Sequence, residues 1–358
     1  MKEKIVTFEA QNRKEYVNTV FTGVFVAGLL ITVSYALTYF IYIKTFGLLA
    51  DTGFEFYLKT FGGVLLASLS TAIPMFIYGL CVDNPPQKIF KQKPITSVFT
   101  CVRLGASFFV LTVTAAIVLL GLSLLLIDYM KSVGYEFIYS YLIDLSNTGE
   151  TVGQKIFYVV VRSVIPAVMC EAFFRAPVMN RVIKDNYFLA VFVPALTFST
   201  YHTTFEEFAV SFAMGLGFGW LYLLTRSLKA TTAVHCLVNV VIYTLYTVFG
   251  QDLADILLLP YIFLPCLVVF VIELMGIITG GYTPKHGEED KPFNIKEILR
   301  AMFLNFGLYA TVFVILFQFG TWRLRNPNIK VPEPGHKDEA AKTEEADLDG
   351  LLRENIRL

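Results

Sequence analysis

The sequence predicts an all-α fold, a polytopic membrane bundle of eight or nine transmembrane spans. Of its 358 residues, 55% are hydrophobic and 16% are charged, which is too apolar a composition for a soluble domain. The apolar residues form long runs, and most runs reach the roughly 20 residues that a helix needs to cross lipid. The candidate spans are Val17 to Ile43, Phe61 to Val82, Leu104 to Ile127, Ile156 to Phe174, Tyr187 to His202, Phe208 to Thr225, Thr231 to Phe249, Ile256 to Thr279 and Ala301 to Trp322.

The distribution of charge predicts the orientation of the chain. The net charge is zero, which gives no case for binding nucleic acid. Basic residues precede the first span and follow the second, fourth, sixth and eighth spans, so the N-terminus is expected in the cytoplasm and the protein in the plasma (cell) membrane. Arg323, Arg325 and Lys330 after the ninth span break this pattern. Either the last segment does not cross, or an earlier one is re-entrant.

The chain divides into five parts along its length. Residues 1–16 form a cytoplasmic tail, and 17–155 hold the N-terminal helices and loops. Residues 156–249 carry the polar motifs, and 250–322 hold the C-terminal helices. Residues 323–358 are rich in Pro, Glu, Lys and Asp, a composition typical of a disordered tail. All five cysteines lie in or beside apolar segments, which argues against a disulfide framework.

Three short polar motifs lie inside the apolar segments. They are Cys170-Glu171-Ala-Phe-Phe-Arg175, Phe198-Ser-Thr-Tyr-His202 and His235-Cys-Leu-Val-Asn239. In each motif two chemically distinctive residues are four apart and therefore share a helical face. An ionised side chain near the bilayer centre costs about 2.5 to 3.5 kcal/mol, so charge in this position requires compensation. The motifs could converge from three helices on one cavity.

Each motif also has a purely structural interpretation. Glu171 and Arg175 could stabilise only their own helix, and the histidines could tie helices together through hydrogen bonds. Arg162 and Glu273, which also lie within spans, are interpreted as structural pairing candidates. The charge pattern places Glu171 and His235 towards the cytoplasmic half and His202 near the outer face, so a shared site requires bent or tilted helices.

The joint pattern resembles the CPBP family of intramembrane proteases, which includes the type II CAAX prenyl endopeptidases and relatives in bacteriocin processing and immunity. The family pattern is Glu-Glu-x-x-x-Arg, then Phe-x-x-x-His, then His-x-x-x-Asn, and the resemblance covers about Ile156 to Phe249. It implies that His202 helps to activate water, that His235 and Asn239 hold the oxyanion, and that Arg175 orients Glu171. The glycines of the Gly215 to Gly219 stretch are interpreted as sites of close helix packing.

Cys170 is the departure from this pattern, because it stands where the family has its first Glu. Four outcomes stay open. Glu171 could act as the base with His202, Glu206 could supply the carboxylate, or Cys170 could act as a thiolate nucleophile paired with His202. Otherwise hydrolysis is lost, so the sequence leaves open whether the protein is an enzyme. Zinc on Glu171, His202 and His235 is a further alternative, although the resemblance itself implies no cofactor.

The sequence therefore predicts an intramembrane endopeptidase that cleaves a membrane-proximal or lipid-modified peptide, with Cys170 as a potential cause of catalytic impairment. The main alternative is a non-catalytic membrane adaptor or immunity-type protein, a pseudoenzyme that keeps the protease fold. The expected partners are membrane lipid and a peptide or protein at the membrane. A small-solute transporter is a third class, but no inverted repeat or pair of broken helices supports it.

Overall fold

The structure is a computed structural model of the full chain, and it confirms the predicted all-α polytopic membrane bundle. It describes residues 30, 33–34, 37–46, 49, 53–81, 94–134, 136–138, 147–179, 187–199, 202, 205–250, 253–279 and 323–325. The ninth predicted span, Ala301 to Trp322, and much of the first lie outside the described residues. The chain forms two compact units, Met1–Leu126 with Tyr139–Trp322, and Ile127–Ile138 with Arg323–Leu358.

Helices make up nearly all of the described structure. Residues 37–46 are helical. The labelled helices follow in chain order: α1 (Gly53–Cys81), α2 (Val98–Ser132), α3 (Val152–Cys170), a π-helix (Glu171–Met179), α4 (Tyr187–Ser199), α5 (Phe205–Thr225), α6 (Leu228–Phe249), α7 (Leu253–Leu257) and α8 (Pro260–Ile278).

Five of the described helices are long and apolar enough to cross a membrane. The candidate spans are Gly53–Pro74, Val98–Ser132, Val152–Cys170, Glu207–Thr225 and Leu228–Phe249. Two shorter apolar segments, Ala190–Ser199 and Pro260–Gly276, fall in α4 and α8. Many large apolar side chains on these helices are exposed, as expected of a surface that faces lipid. The protein is therefore an integral membrane protein.

The ends of α3 and α6 are fixed by capping side chains. Thr151 accepts a hydrogen bond from the backbone N–H of Gln154, and the Gln154 side chain accepts one from the backbone N–H of Thr151, which together form a capping box. Ser227 caps α6 by accepting from the backbone N–H of Ala230 at 3.2 Å. These caps fix the start of α3, which leads into the π-helix, and of α6, which carries His235 and Asn239.

A short antiparallel strand pair forms in the second unit, between β1 (Glu136–Ile138) and β2 (Arg323–Arg325). The sequence predicted a structureless tail from residue 323, and its charge pattern assigned the two segments to opposite sides of the membrane. The structure places β2 at the start of that predicted tail, paired with β1. In the register of the pair, Glu136 is opposite Arg325, Phe137 opposite Leu324 and Ile138 opposite Arg323.

Glycines allow α5 to approach its neighbours closely. A Cβ atom at Gly215 would lie 2.8 Å from the Cα of Ala195 on α4, and one at Gly217 would lie 2.7 Å from Oγ1 of Thr112 on α2. Both separations are too short for a side chain. This packing agrees with the interpretation of the glycine-rich stretch, and it brings α4 and α5 together beside the polar motifs.

Candidate active site

Glu171 and Arg175 form a buried ion pair on the π-helix. Nε of Arg175 donates to Oε2 of Glu171 at 2.9 Å, and Nη2 donates to Oε1 at 3.5 Å. Both residues are only 1% exposed. Nη2 also donates to the backbone carbonyl of Gly215 on α5 at 3.2 Å. Arg175 therefore holds the Glu171 carboxylate in place and links the π-helix to α5. The pair does more than stabilise its own helix.

The π-helix begins at Glu171, directly after Cys170 ends α3. π-helical turns are rare, and they are frequently found at functional sites. The sequence predicted an ordinary α-helix here. The residue types do not reveal whether the backbone hydrogen bonds are of the α-helical or of the π-helical (i to i+5) type. Glu171 and Arg175 still meet, because a spacing of four residues remains close to one turn.

His235 on α6 is the second partner of Glu171. Its Nδ1 lies 3.0 Å from Oε1 of Glu171, and the residue is 2% exposed. An ionised carboxylate can only accept hydrogen bonds, so Nδ1 of His235 is the donor in a contact with ionised Glu171. Within the described part of the chain, Nε2 has no hydrogen-bond partner. The Phe218 ring stacks on the imidazole with the ring centroids 4.5 Å apart.

Phe198 brings the second motif to the same place. The centroid of its ring lies 5.3 Å from that of His202 and 5.8 Å from that of His235, and both contacts are edge-on. Phe174 contacts the Phe198 ring at 5.9 Å. The two histidines therefore flank one aromatic ring, and the expected difference in depth between them does not keep the motifs apart.

His202 is not bonded to Glu171. It follows the end of α4, its backbone N–H donates to the carbonyl of Ser199 at 3.1 Å, and its side chain is half-buried. The hydrogen bonds of Glu171 go to Arg175 and His235 instead. Glu171 and His202 are therefore not directly hydrogen-bonded to each other in this structure.

Asn239 lies one turn after His235 on α6. It is 7% exposed, and its amide makes no hydrogen bond with another described residue. Because i and i+4 share a helical face, the amide and the His235 imidazole lie on the same side of α6. The two polar groups therefore lie side by side on one face of α6.

Cys170 is a half-buried, free thiol at the last position of α3. The carboxylate of its immediate neighbour Glu171 is hydrogen-bonded to Arg175 and His235.

The zinc alternative finds no support in the structure. Among the described residues, no group of three or more His, Cys, Asp or Glu side chains is arranged to hold a metal ion. Glu171 and His235 bind each other in a geometry that leaves His202 outside the pair.

A second polar cluster, which we call the Arg162 cluster, consists of Arg162, Tyr158 and Tyr243. Nη1 of Arg162 donates to the hydroxyl of Tyr158 at 2.9 Å, and its guanidinium carbon lies 4.7 Å from the centre of the Tyr243 ring. The Tyr158 and Tyr243 rings meet edge to face, with their centroids 6.1 Å apart. The sequence interpreted Arg162 only as a pairing candidate. Glu273, interpreted in the same way, accepts a hydrogen bond from Ser107 at 3.1 Å.

Sequence reasoning missed two contributions from α5. The Phe218 ring covers one face of His235, and the Gly215 carbonyl binds Arg175. Both belong to the glycine-rich stretch, which the sequence linked only to helix packing. The sequence feature that could have indicated them is Phe218, which lies between Gly217 and Gly219. Glycines let the helix backbone approach its neighbours closely, so a nearby ring and a backbone carbonyl can both contact those helices.

A comparison with known protein families matches residues 152–241 to the Rce1-like model, described as type II CAAX prenyl endopeptidase Rce1-like. The matched segment contains all three motifs and about a quarter of the chain. The match confirms the predicted resemblance to this family over this segment. No curated protein and no solved structure gave a significant match.

Proposed function

We propose that this protein is a CAAX-type intramembrane endopeptidase that hydrolyses a lipid-modified or membrane-proximal peptide with water activated by Glu171 and His235. The observation that carries this proposal is the 3.0 Å contact between Nδ1 of His235 and the Glu171 carboxylate, braced by Arg175. A histidine oriented by a carboxylate is the general arrangement of a catalytic base.

In the proposed reaction, Nε2 of His235 takes a proton from water while the water oxygen attacks the peptide carbonyl carbon. Glu171 holds the ring in the required tautomer and stabilises its charged form. The Asn239 amide and His202 stabilise the oxyanion. When the C–N bond breaks, the imidazolium returns the proton to the leaving amine. General-base assistance contributes a rate factor of about 10² to 10⁴, and an oxyanion donor about 10² to 10³.

These roles differ from those implied by the resemblance, in which His202 assists water activation and His235 holds the oxyanion. The reason is Cys170, which cannot act as the first carboxylate. The carboxylate that remains is bonded to His235, so the base is proposed on α6 and His202 is left as a donor.

Purified full-length protein in detergent, incubated with prenylated peptides and analysed by mass spectrometry, tests this proposal. We expect two fragments from the parent protein, and a loss of at least 100-fold in cleavage rate for His235→Ala. Leu237→Ala is the matched control, since Leu237 lies on the same helix and is 53% exposed. Equal cleavage by His235→Ala and the parent protein would exclude His235 as the base.

A second candidate function is a non-catalytic binding protein that keeps this fold. It is favoured by the two hydrogen-bonded partners of the Glu171 carboxylate, because a carboxylate already occupied by Arg175 and His235 is less able to assist water. In that case the purified protein would bind the prenylated peptide and leave it intact in the same assay.

A further inference from the structure

The guanidinium of Arg175 lies along one turn of α5. Its Nη2 donates to the carbonyl of Gly215 at 3.2 Å. Its Nη1 lies beside Gly219, where an added Cβ atom would be 3.3 Å from this nitrogen. Gly215 and Gly219 are four residues apart, so they lie on one face of α5. The guanidinium therefore packs against two positions of α5 that have no Cβ atom.

The three nitrogens of this guanidinium are held in different ways. Nε and Nη2 both donate to the carboxylate of Glu171. Nη1 is fully buried and has no hydrogen-bond partner among the described residues, so its position depends on packing against Gly219. Because the guanidinium is planar and rigid, a displacement of Nη1 also moves the two nitrogens that hold Glu171.

Glu171 links this packing contact to the proposed base. Its Oε1 lies 3.0 Å from Nδ1 of His235, and all three side chains of this network are almost completely buried. Buried side chains are closely packed, so a small displacement of one is transmitted to its neighbours. A shift of Arg175 should therefore reach the imidazole of His235 through a single carboxylate.

We propose that Gly219 is a positioning residue for the hydrolysis. The absence of a side chain at this position lets Arg175 lie where it holds Glu171, and Glu171 in turn orients the His235 imidazole. This inference rests on the proposed function, in which His235 is the base. Gly215 acts on the same guanidinium through a hydrogen bond, whereas Gly219 acts through van der Waals contact.

Helix packing gives a second reason for a glycine at position 219. A Cβ atom there would also lie 3.0 Å from Cγ1 of Val191 on α4. Gly219→Ala therefore crowds both α4 and Arg175. The double variant Gly219→Ala/Val191→Ala removes the Cγ1 atom and keeps the contact with Nη1, so it separates the two causes. Val191→Ala alone is its reference.

The first measurement is the cleavage of a prenylated peptide by full-length protein in detergent, together with thermal unfolding. We expect the double variant to lose about 10-fold in kcat with little change in KM, because a misplaced base slows the chemical step. Gly217→Ala is the matched control. Its Cβ would lie 2.7 Å from Oγ1 of Thr112 on α2, so it should lower stability and leave kcat unchanged.

The second measurement does not depend on cleavage. It is the NMR signal of the proton between Nδ1 of His235 and Glu171, recorded with 15N-labelled histidine and assigned by its loss in His235→Ala. We expect this signal to shift in Gly219→Ala/Val191→Ala. It should stay in place in Val191→Ala and in Gly217→Ala, where the added methyl group is directed at α2.

A shifted signal with a reduced kcat supports the inference. It is overturned if the folded double variant keeps the kcat or the signal of Val191→Ala, because helix packing then explains the glycine. If the parent protein cleaves normally and the signal does not move, only the role of Gly219 is removed. If the parent protein cleaves no peptide, the proposed hydrolysis fails, and a shifted signal still shows that Gly219 positions His235.

Discussion

Glu171 accepts a hydrogen bond from Nδ1 of His235 at 3.0 Å, and this bond joins the π-helix to α6. Both side chains are almost completely buried, and Arg175 binds the same carboxylate from the other side. The arrangement is therefore a three-residue charge network across two helices, in which a change at one residue alters the surroundings of the other two.

Glu171→Gln should destabilise the fold by about 3 to 5 kcal/mol, because it leaves the buried guanidinium of Arg175 uncompensated. The measurement is thermal unfolding in detergent. Glu150→Gln, at an exposed position before α3, is the control and should have little effect. The double variant Glu171→Gln/Arg175→Met should recover part of the loss, since it removes both charges. If the double variant is less stable than Glu171→Gln, the charge network is not what stabilises this region.

Gly215→Ala should separate α5 from α4, because the added Cβ would lie 2.8 Å from the Cα of Ala195. Crowding of this kind costs about 1 to 3 kcal/mol, and it would also displace the carbonyl that accepts from Arg175. Thermal unfolding and peptide cleavage are measured together. Gly105→Ala is the matched control, since a Cβ there would meet Cγ2 of Val234 at an ordinary 3.5 Å. Equal effects of the two changes would contradict this account of α5.

Phe218→Leu should weaken the positioning of His235 while leaving the fold largely intact. The ring stacks on the imidazole at 4.5 Å, and such a ring pair contributes about 0.5 to 1.5 kcal/mol beyond its burial. We expect the cleavage rate to fall by about 10-fold. The loss should appear mainly in kcat, because a misplaced base slows the chemical step and leaves substrate binding unchanged. Phe212→Leu on the same helix, where the ring contacts Phe192 instead, should leave kcat unchanged. Similar kcat values for both variants would argue against a role for Phe218.

The helical membrane fold and the residues of the site could be predicted from the sequence for physical reasons. Long apolar runs leave few alternatives to helices in lipid, and polar side chains such as Glu171 and His235 are conspicuous there. The hydrogen bond between Glu171 and His235 was not predicted. A spacing of four residues identifies Arg175 as a neighbour of Glu171, but it does not show which residue of α6 lies beside them. The π-helix and the Phe218 stack depend in the same way on the close packing of separate helices.

Cys170→Glu should increase peptide hydrolysis if the missing first carboxylate of the motif limits the parent protein. Cys170 is half-buried at the junction of α3 and the π-helix, so a longer carboxylate there can reach outward while Glu171 keeps its bonds to Arg175 and His235. A second general base contributes a rate factor of about 10² to 10⁴, so a gain of at least 10-fold in cleavage rate is expected.

Cys236→Glu is the control. It places the same charge on α6 beside His235, outside the motif position, and should give no gain. If folded Cys170→Glu protein cleaves no faster than the parent protein, the substitution at position 170 is not what limits hydrolysis. If neither protein cleaves any prenylated peptide, the binding function becomes the better account of the site.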